Sequence, residues 1–165
     1  MRRFSLIAFA AALFAAPALA EKLTVEQLNA YMAVAPAAPE GWTRADRAGN
    51  YSSDRASTFS LTYTSADGSK RFLFTIIFSK ENADQNRDLL KDARRRDMFG
   101  MTLEKIKGRD ALAKKPDNKN KSMATYLVVI AESRSVSITE SGGEIDRAIL
   151  KAFLETADFD AIAKR

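Results

Sequence analysis

The stretch LLKDARRRDMFG, residues 89–100, contains the residue pattern in this chain best suited to binding an anion. Its three consecutive arginines are Arg94, Arg95 and Arg96, and Phe99 follows closely. Guanidinium groups bind carboxylates and phosphates through charge-assisted hydrogen bonds. An apolar neighbour would extend such a contact to a protein partner. The pattern therefore predicts an anion or partner contact as one of two interpretations.

The other interpretation is a helix face in water. Asp92 stands three and four residues before Arg95 and Arg96, a spacing at which helical side chains form ion pairs. Basic residues in the last turn also complement the helix dipole. The spacing favours this solvated face, and the anion or partner contact is the alternative.

The absence of histidine and cysteine excludes the commonest catalytic chemistries. Without histidine the chain lacks the usual general base near neutral pH, and neither Ser-His-Asp nor Cys-His catalysis is available. Zinc and copper sites lose their preferred ligands as well. Phosphate-binding and dinucleotide-binding glycine motifs are missing too. We expect no enzymatic activity, no catalytic residue, no cofactor and no metal site.

Three aspartates could in principle form a carboxylate site. Asp158 and Asp160 flank one phenylalanine, and Asp117 lies in the polar segment PDNKNK. Their spacing does not match a calcium-binding loop. We predict instead that Asp158 caps a short final helix and that PDNKNK is a hairpin loop.

The first twenty residues indicate export. Two arginines precede a short apolar run, and the small-x-small site Ala18-Leu19-Ala20 follows. The run is shorter than a membrane-spanning helix requires. Cleavage after Ala20 predicts a periplasmic or secreted protein without a transmembrane anchor.

The remaining residues, 21–165, are sufficient for a single globular domain. Loss of the two leader arginines lowers the formal charge from +5 to +3. This is too weakly basic to predict nucleic-acid binding. Without cysteine, the domain must be stabilised by packing alone.

The elements that would position these residues follow from periodicity. Thr24 and Gln27 form a capping-box pattern at the start of a helix, and Trp42 is expected to be the first core residue of a sheet. Alternating apolar residues predict strands at 57–64 and 70–79. Gly49-Asn50 suggests a turn.

The second half continues with a helix over 83–98, capped by Asn82, which would carry the arginines. Residues 101–115 predict two short strands around a turn at Gly108-Arg109-Asp110, and their imperfect alternation leaves the strand count open. A central strand, SMATYLVVIA, and the strand SVSITE follow. A helix over 144–157 is expected to bury an apolar face of five residues: Ile145, Ala148, Ile149, Ala152 and Phe153.

Together these elements predict an α+β fold with a single antiparallel sheet of about five to seven strands, covered by two or three helices. From Trp42 through the strands 57–64 and 70–79 to the helix over 144–157, their order resembles the Mog1/PsbP-like α/β/α sandwich. The resemblance rests on element order without a diagnostic motif. Members of that fold have many roles, among them small non-catalytic partners of larger assemblies, so the resemblance implies a fold more than a function.

The sequence therefore predicts an exported non-catalytic protein that acts as a partner-binding or envelope-maintenance module. Its expected partner is another protein of the cell envelope. A carrier or sensor of a small apolar or anionic ligand is the first alternative. An enzyme based on carboxylate or lysine chemistry is the second, less favoured alternative.

Overall fold

The computed structural model describes residues 22–120 and 123–165. The predicted signal peptide, residues 1–20, lies outside the described residues. In the described part of the chain, no helix is long and apolar enough to cross a membrane.

The described residues form one eight-stranded antiparallel sheet and five helices, an α+β fold as the sequence predicts. The strands are β1 (Trp42–Arg44), β2 (Gly49–Ser52), β3 (Ser57–Ser65), β4 (Arg71–Phe78), β5 (Met101–Ile106), β6 (Arg109–Lys114), β7 (Tyr126–Ala131) and β8 (Arg134–Gly142). The helices are α1 (Val25–Val34), α2 (Lys80–Lys91), α3 (Ala93–Met98), α4 (Arg147–Thr156) and α5 (Phe159–Lys164). The strand order is β1-β3-β4-β8-β7-β6-β5, with β2 also paired to β3.

One face of the sheet carries an aromatic core beneath α1, α4 and α5. The predicted alternation in β3 and β4 is confirmed, because Tyr63 pairs with Phe72 and both are fully buried. Phe153 of α4 packs edge-on against these two rings, at centroid distances of 4.7 and 4.9 Å. On the same face the ring centroid of Tyr31 in α1 lies 5.8 Å from that of Phe59. Edge-to-face pairs of this kind add to the free energy gained from burial alone.

The opposite face is more polar and only partly covered. Helix α2 packs over β6, β7 and β8, where it buries Ala83 and Asn86. Arg87 ties this helix to the β7–β8 turn by donating to the Ala131 carbonyl at 2.6 Å and the Glu132 carbonyl at 2.8 Å. Along β3 and β4 this face carries half-buried side chains, most of them hydroxyl-bearing: Thr58, Ser60, Thr62, Thr64, Leu73, Thr75 and Ile77.

The predicted single helix over 83–98 is wrong in two respects. Ser79, not Asn82, caps α2, because its hydroxyl accepts the Asn82 amide at 3.2 Å. The helix then ends at Lys91, and Asp92 caps a separate helix, α3, by accepting the Arg95 amide at 3.0 Å. Aspartate offers its carboxylate to backbone amides and so favours a new helix start over a helix interior.

Two predicted turns are also displaced. Gly49-Asn50 begins β2, where Asn50 pairs with Phe59 across to β3. The β5–β6 turn lies at Lys107-Gly108, with φ of 50° and 76°, one residue earlier than predicted.

The two strands predicted within 101–115 are confirmed as β5 and β6. The short strands β1 and β2 bring the sheet to eight strands rather than five to seven.

The buried face of α4 matches the prediction in part, because Ile145 just before the helix and Phe153 within it are buried. Asp146 caps α4, which starts at Arg147 and turns Leu150, Phe153 and Leu154 inward. Ile149 is 38% exposed, and Ala148 and Ala152 are exposed as well. The predicted cap at Asp158 is confirmed, because its carboxylate accepts the Ala161 amide at 2.9 Å at the start of α5. The N-terminal capping box of Thr24 and Gln27 is also confirmed.

Candidate functional site

The predicted contact residues lie on α3 and just beyond it, at one edge of the sheet. Arg94 and Arg95 are exposed, and within residues 22–120 and 123–165 neither side chain has an ion-pair or hydrogen-bond partner. The expected Asp92 ion pairs are not formed in this region, because the Asp92 carboxylate caps the helix backbone instead. Two cationic side chains are therefore available to a partner.

Arg96 has a structural role. Its Nη1 donates to the Leu89 carbonyl at 2.9 Å and to the Leu90 carbonyl at 2.8 Å. These carbonyls belong to the last turn of α2, whose acceptors have no partner within their own helix. Arg96 thus fastens α3 to the end of α2, which separates it from its two neighbours.

Apolar side chains stand beside the two available arginines. Met98 is 77% exposed and Phe99 is 49% exposed at the end of α3. Leu103 is 43% exposed on β5, the strand on which α3 packs. Strand β5 is the last strand of the sheet, so one of its edges has no neighbouring strand among the described residues. We call the surface of Arg94, Arg95, Met98, Phe99 and Leu103 the α3 corner.

The loop that contains Asn118 holds the chain just after α3 in place. The Asn118 Nδ2 donates to the Phe99 carbonyl at 3.1 Å and the Gly100 carbonyl at 3.2 Å. Gly100 has a φ of 63°, and a Cβ there would lie 2.6 Å from Asn118 Nδ2. Only glycine fits this junction without strain. Lys115 adds an ion pair with Asp97 at 3.1 Å.

The same loop forms one wall of a second feature, a cleft of about 770 Å³ at the end of the sheet. It lies where β6 and β8 end and the chain enters β7. Its opposite wall is the segment from the end of β8 to the start of α4. We call it the basic cleft, and the charged residues that line it are Lys114, Lys115, Lys119, Glu140, Glu144 and Arg147.

Beneath the basic cleft, Arg147 belongs to a charged group on the α4 side of the sheet. The carboxylate of Glu104 in β5 forms two ion pairs. Its Oε1 lies 3.5 Å from Arg147 Nη2, and its Oε2 lies 3.3 Å from Lys151 Nζ. The Arg147 guanidinium also stands over the Tyr126 ring at 5.3 Å. Burial, with a smaller contribution from Glu104, raises the pKa of the Tyr126 phenol above its ordinary value. This tyrosine is therefore neutral at physiological pH.

The three aspartates singled out in the sequence do not converge. Asp158 is occupied as a helix cap, and Asp160 forms an ion pair with Arg109 at 2.7 Å. Asp117 lies in the loop between β6 and β7, the position predicted for a hairpin loop. In the described ranges no group of three or more acidic residues could hold a metal ion.

Comparison with known proteins gives no family for this chain. It matches no protein-family model, no curated protein and no solved structure. The resemblance to the Mog1/PsbP-like fold remains a prediction from element order, and functional inference depends on the geometry of these two surfaces.

The basic cleft was not predicted from the sequence. Its lining comes from segments that are far apart in the sequence, among them those of Lys114, Thr125 and Arg147. No sequence motif indicates that these segments meet in the fold. The available signal was an accumulation of lysines between 114 and 121 beside a polar loop, which predicted only a turn.

Proposed function

We propose that this protein is an exported, non-catalytic binding protein that docks an acidic protein partner at the α3 corner. The observation that carries the proposal is that exposed Met98 and Phe99, with Leu103 on the strand packed against α3, accompany Arg94 and Arg95, which have no partner among the described residues. Aromatic, methionine and arginine side chains are enriched in protein interfaces relative to the rest of the surface.

Charge complementarity selects the partner. Asp92 is engaged as a cap and Asp97 in an ion pair with Lys115, so neither of these two aspartates pairs with Arg94 or Arg95. The two free guanidinium groups then favour a carboxylate-bearing segment, with which they can form bidentate hydrogen bonds. The unpaired edge of β5 offers backbone donors and acceptors to the same segment in an extended conformation.

Site-specific photo-crosslinking tests the proposal in the cells that make the protein. A benzophenone side chain at position 99 should crosslink to one discrete protein, and the crosslinked peptide should be rich in aspartate or glutamate. The same probe at Tyr51, which is 66% exposed in β2, is the matched control and should not capture that protein. Equal capture from both positions, or none from position 99, would contradict the proposal.

The double variant Arg94→Gln/Arg95→Gln tests the charge component. Capture should fall at low salt and be weak for the wild type at high salt, because exposed charges are screened within about 10 Å at 0.1 M. Lys164→Gln/Arg165→Gln removes two positive charges at the chain end and should capture like the wild type. If both double variants lose capture equally, net charge rather than the α3 corner is responsible.

A further inference from the structure

The basic cleft contains polar groups that the fold itself does not satisfy. Thr125 is 1% exposed and lines the cleft, and its hydroxyl has no hydrogen-bond partner among the described residues. The Nε of Arg147, which also lines the cleft, is buried and likewise lacks an acceptor there. Buried hydroxyl and guanidinium groups without partners are costly and rare. Thr125 and Arg147 both line this cleft, so a ligand with oxygen acceptors could satisfy both groups.

The backbone of Thr125 is fixed, so its hydroxyl is held in place. Its amide donates to the Ile138 carbonyl at 2.7 Å, and its carbonyl accepts from the Lys114 amide at 2.9 Å. The residue is therefore held to β8 on one side and β6 on the other. A β-branched side chain on such a backbone has few rotamers. The hydroxyl is consequently preorganised as a donor.

The charges around the cleft favour an anion. Among the described residues, four basic side chains and two acidic side chains line it. Lys115 is paired with Asp97, and Arg147 shares Glu104 with Lys151. Lys114 and Lys119 have no ion-pair partner in the described part of the chain, and Lys114 is half-buried next to Thr125 in the sheet.

The opposite wall brings a second segment close to the β3–β4 hairpin. Gly143 has a φ of 65°, and a Cβ there would lie 2.9 Å from the Ser69 carbonyl oxygen. Only glycine lets this wall approach the hairpin so closely. The wall is thus fixed by backbone packing.

From these observations we propose that the basic cleft binds a small molecule carrying a phosphate or carboxylate group. The Thr125 hydroxyl and the Arg147 Nε–H donate to its oxygens, and Lys114 and Lys119 balance its charge. A cationic ligand would meet an excess of positive charge. An apolar ligand would leave the Thr125 hydroxyl and the Arg147 Nε without hydrogen-bond partners among the described residues. This site shares the loop of Lys115 and Asn118 with the α3 corner but none of the five residues that define the corner, and it does not depend on the function proposed for them.

Titration of the isotope-labelled protein with inorganic phosphate, and separately with acetate, tests this proposal by NMR. Saturable shifts should appear at the Thr125 amide and the Arg147 Nε–H, with phosphate, acetate or both. Thr125→Val keeps the side-chain shape and should weaken binding by at least about tenfold, because a hydrogen bond to a charged group is lost. Lys114→Gln should also weaken it, and Lys91→Gln on α2 is the control that should leave it unchanged.

A second arm distinguishes free ligands from lipid headgroups. Vesicles of phosphatidylglycerol should compete with phosphate only if a headgroup can enter the cleft, and sedimentation of the protein with them would identify the lipid as the source. A thermal melt shows whether Thr125→Val remains folded, and Lys114→Gln carries the test if it does not. Absence of saturable shifts with both anions, or equal binding by wild type and both variants, would overturn the proposal.

Discussion

The two faces of the sheet can be compared along a single strand. In β4, Phe74 is fully buried against α4, whereas its neighbour Leu73 points to the other side and is only half-buried. The aromatic face is covered along β3 and β4, and the opposite face along the same strands carries mostly threonine and serine hydroxyls together with Leu73 and Ile77. The aromatic face therefore holds most of the buried aromatic side chains of the fold. The opposite face is covered by α2 only over β6, β7 and β8, so part of its surface remains open to water.

The largest expected effect is on the free energy of unfolding when a large apolar side chain of β4 is truncated to alanine on one face of the sheet or on the other. Phe74→Ala should lower the free energy of unfolding by roughly 3–5 kcal/mol, since it leaves a cavity beneath Phe153. Leu73→Ala, on the same strand, should cost only about 1 kcal/mol because half of that side chain is already in water. Urea denaturation of both variants measures the difference. Equal losses would mean that the faces do not differ as described.

The next effect concerns a polar group inside the aromatic face. The Tyr63 hydroxyl donates to the Pro36 carbonyl at 2.7 Å, and Tyr63→Phe should cost about 0.5–1.5 kcal/mol at neutral pH. Burial raises the pKa of Tyr63 to about 12. A tyrosine whose folded pKa lies above the unfolded value of 10.0 contributes stability that is present below pH 10 and lost as pH rises towards 12.

Ultraviolet difference titration of wild type against Tyr63→Phe measures this pKa. The variant lacks the Tyr63 phenol, so its titration curve should differ from that of the wild type only near pH 12. If the difference spectrum appears near pH 10, Tyr63 is accessible to water and the aromatic face is less well sealed than its packing indicates.

The smallest effect distinguishes the arginines on the sparsely covered face. Arg96→Gln should destabilise by about 1 kcal/mol, a value reduced from that of a fully buried charged hydrogen bond because the side chain is partly exposed. Arg95→Ala should change stability by less than about 0.5 kcal/mol. Thermal melts of the two variants provide the comparison. A larger loss for Arg95→Ala would show that α3 is held differently.

Sequence periodicity predicted the elements whose signals are local and unopposed. Strands β3 and β4 show strict alternation of buried residues, and the capping box at Thr24 identifies the start of α1. The spacing to Asp92 favoured a solvated helix face for the arginines, and Arg94 and Arg95 are exposed, but the ion pairs with Asp92 are not formed in the described residues.

The sequence failed where two local signals compete or where tertiary packing decides. Ser79 and Asn82 are both good caps, and only the packed helix shows that the first is used. Asp92 could form helix ion pairs or start a new helix, and its backbone in fact adopts an extended conformation. The inward face of α4 depends on where Phe153 meets Tyr63 and Phe72, a contact between segments far apart in the chain.

The position of β8 has a consequence for how the chain folds. Strand β8 comes latest in chain order among the described strands, yet it lies between β4 and β7, with Phe74 paired to Ile138 and Val128 to Val136. Until residues 134–142 are available, β4 and β7 each present a bare edge able to pair with another chain. Closure of the sheet therefore requires pairing between distant segments, which slows folding. The centre of the sheet can therefore form only when residues 134–142 have paired with both of these strands.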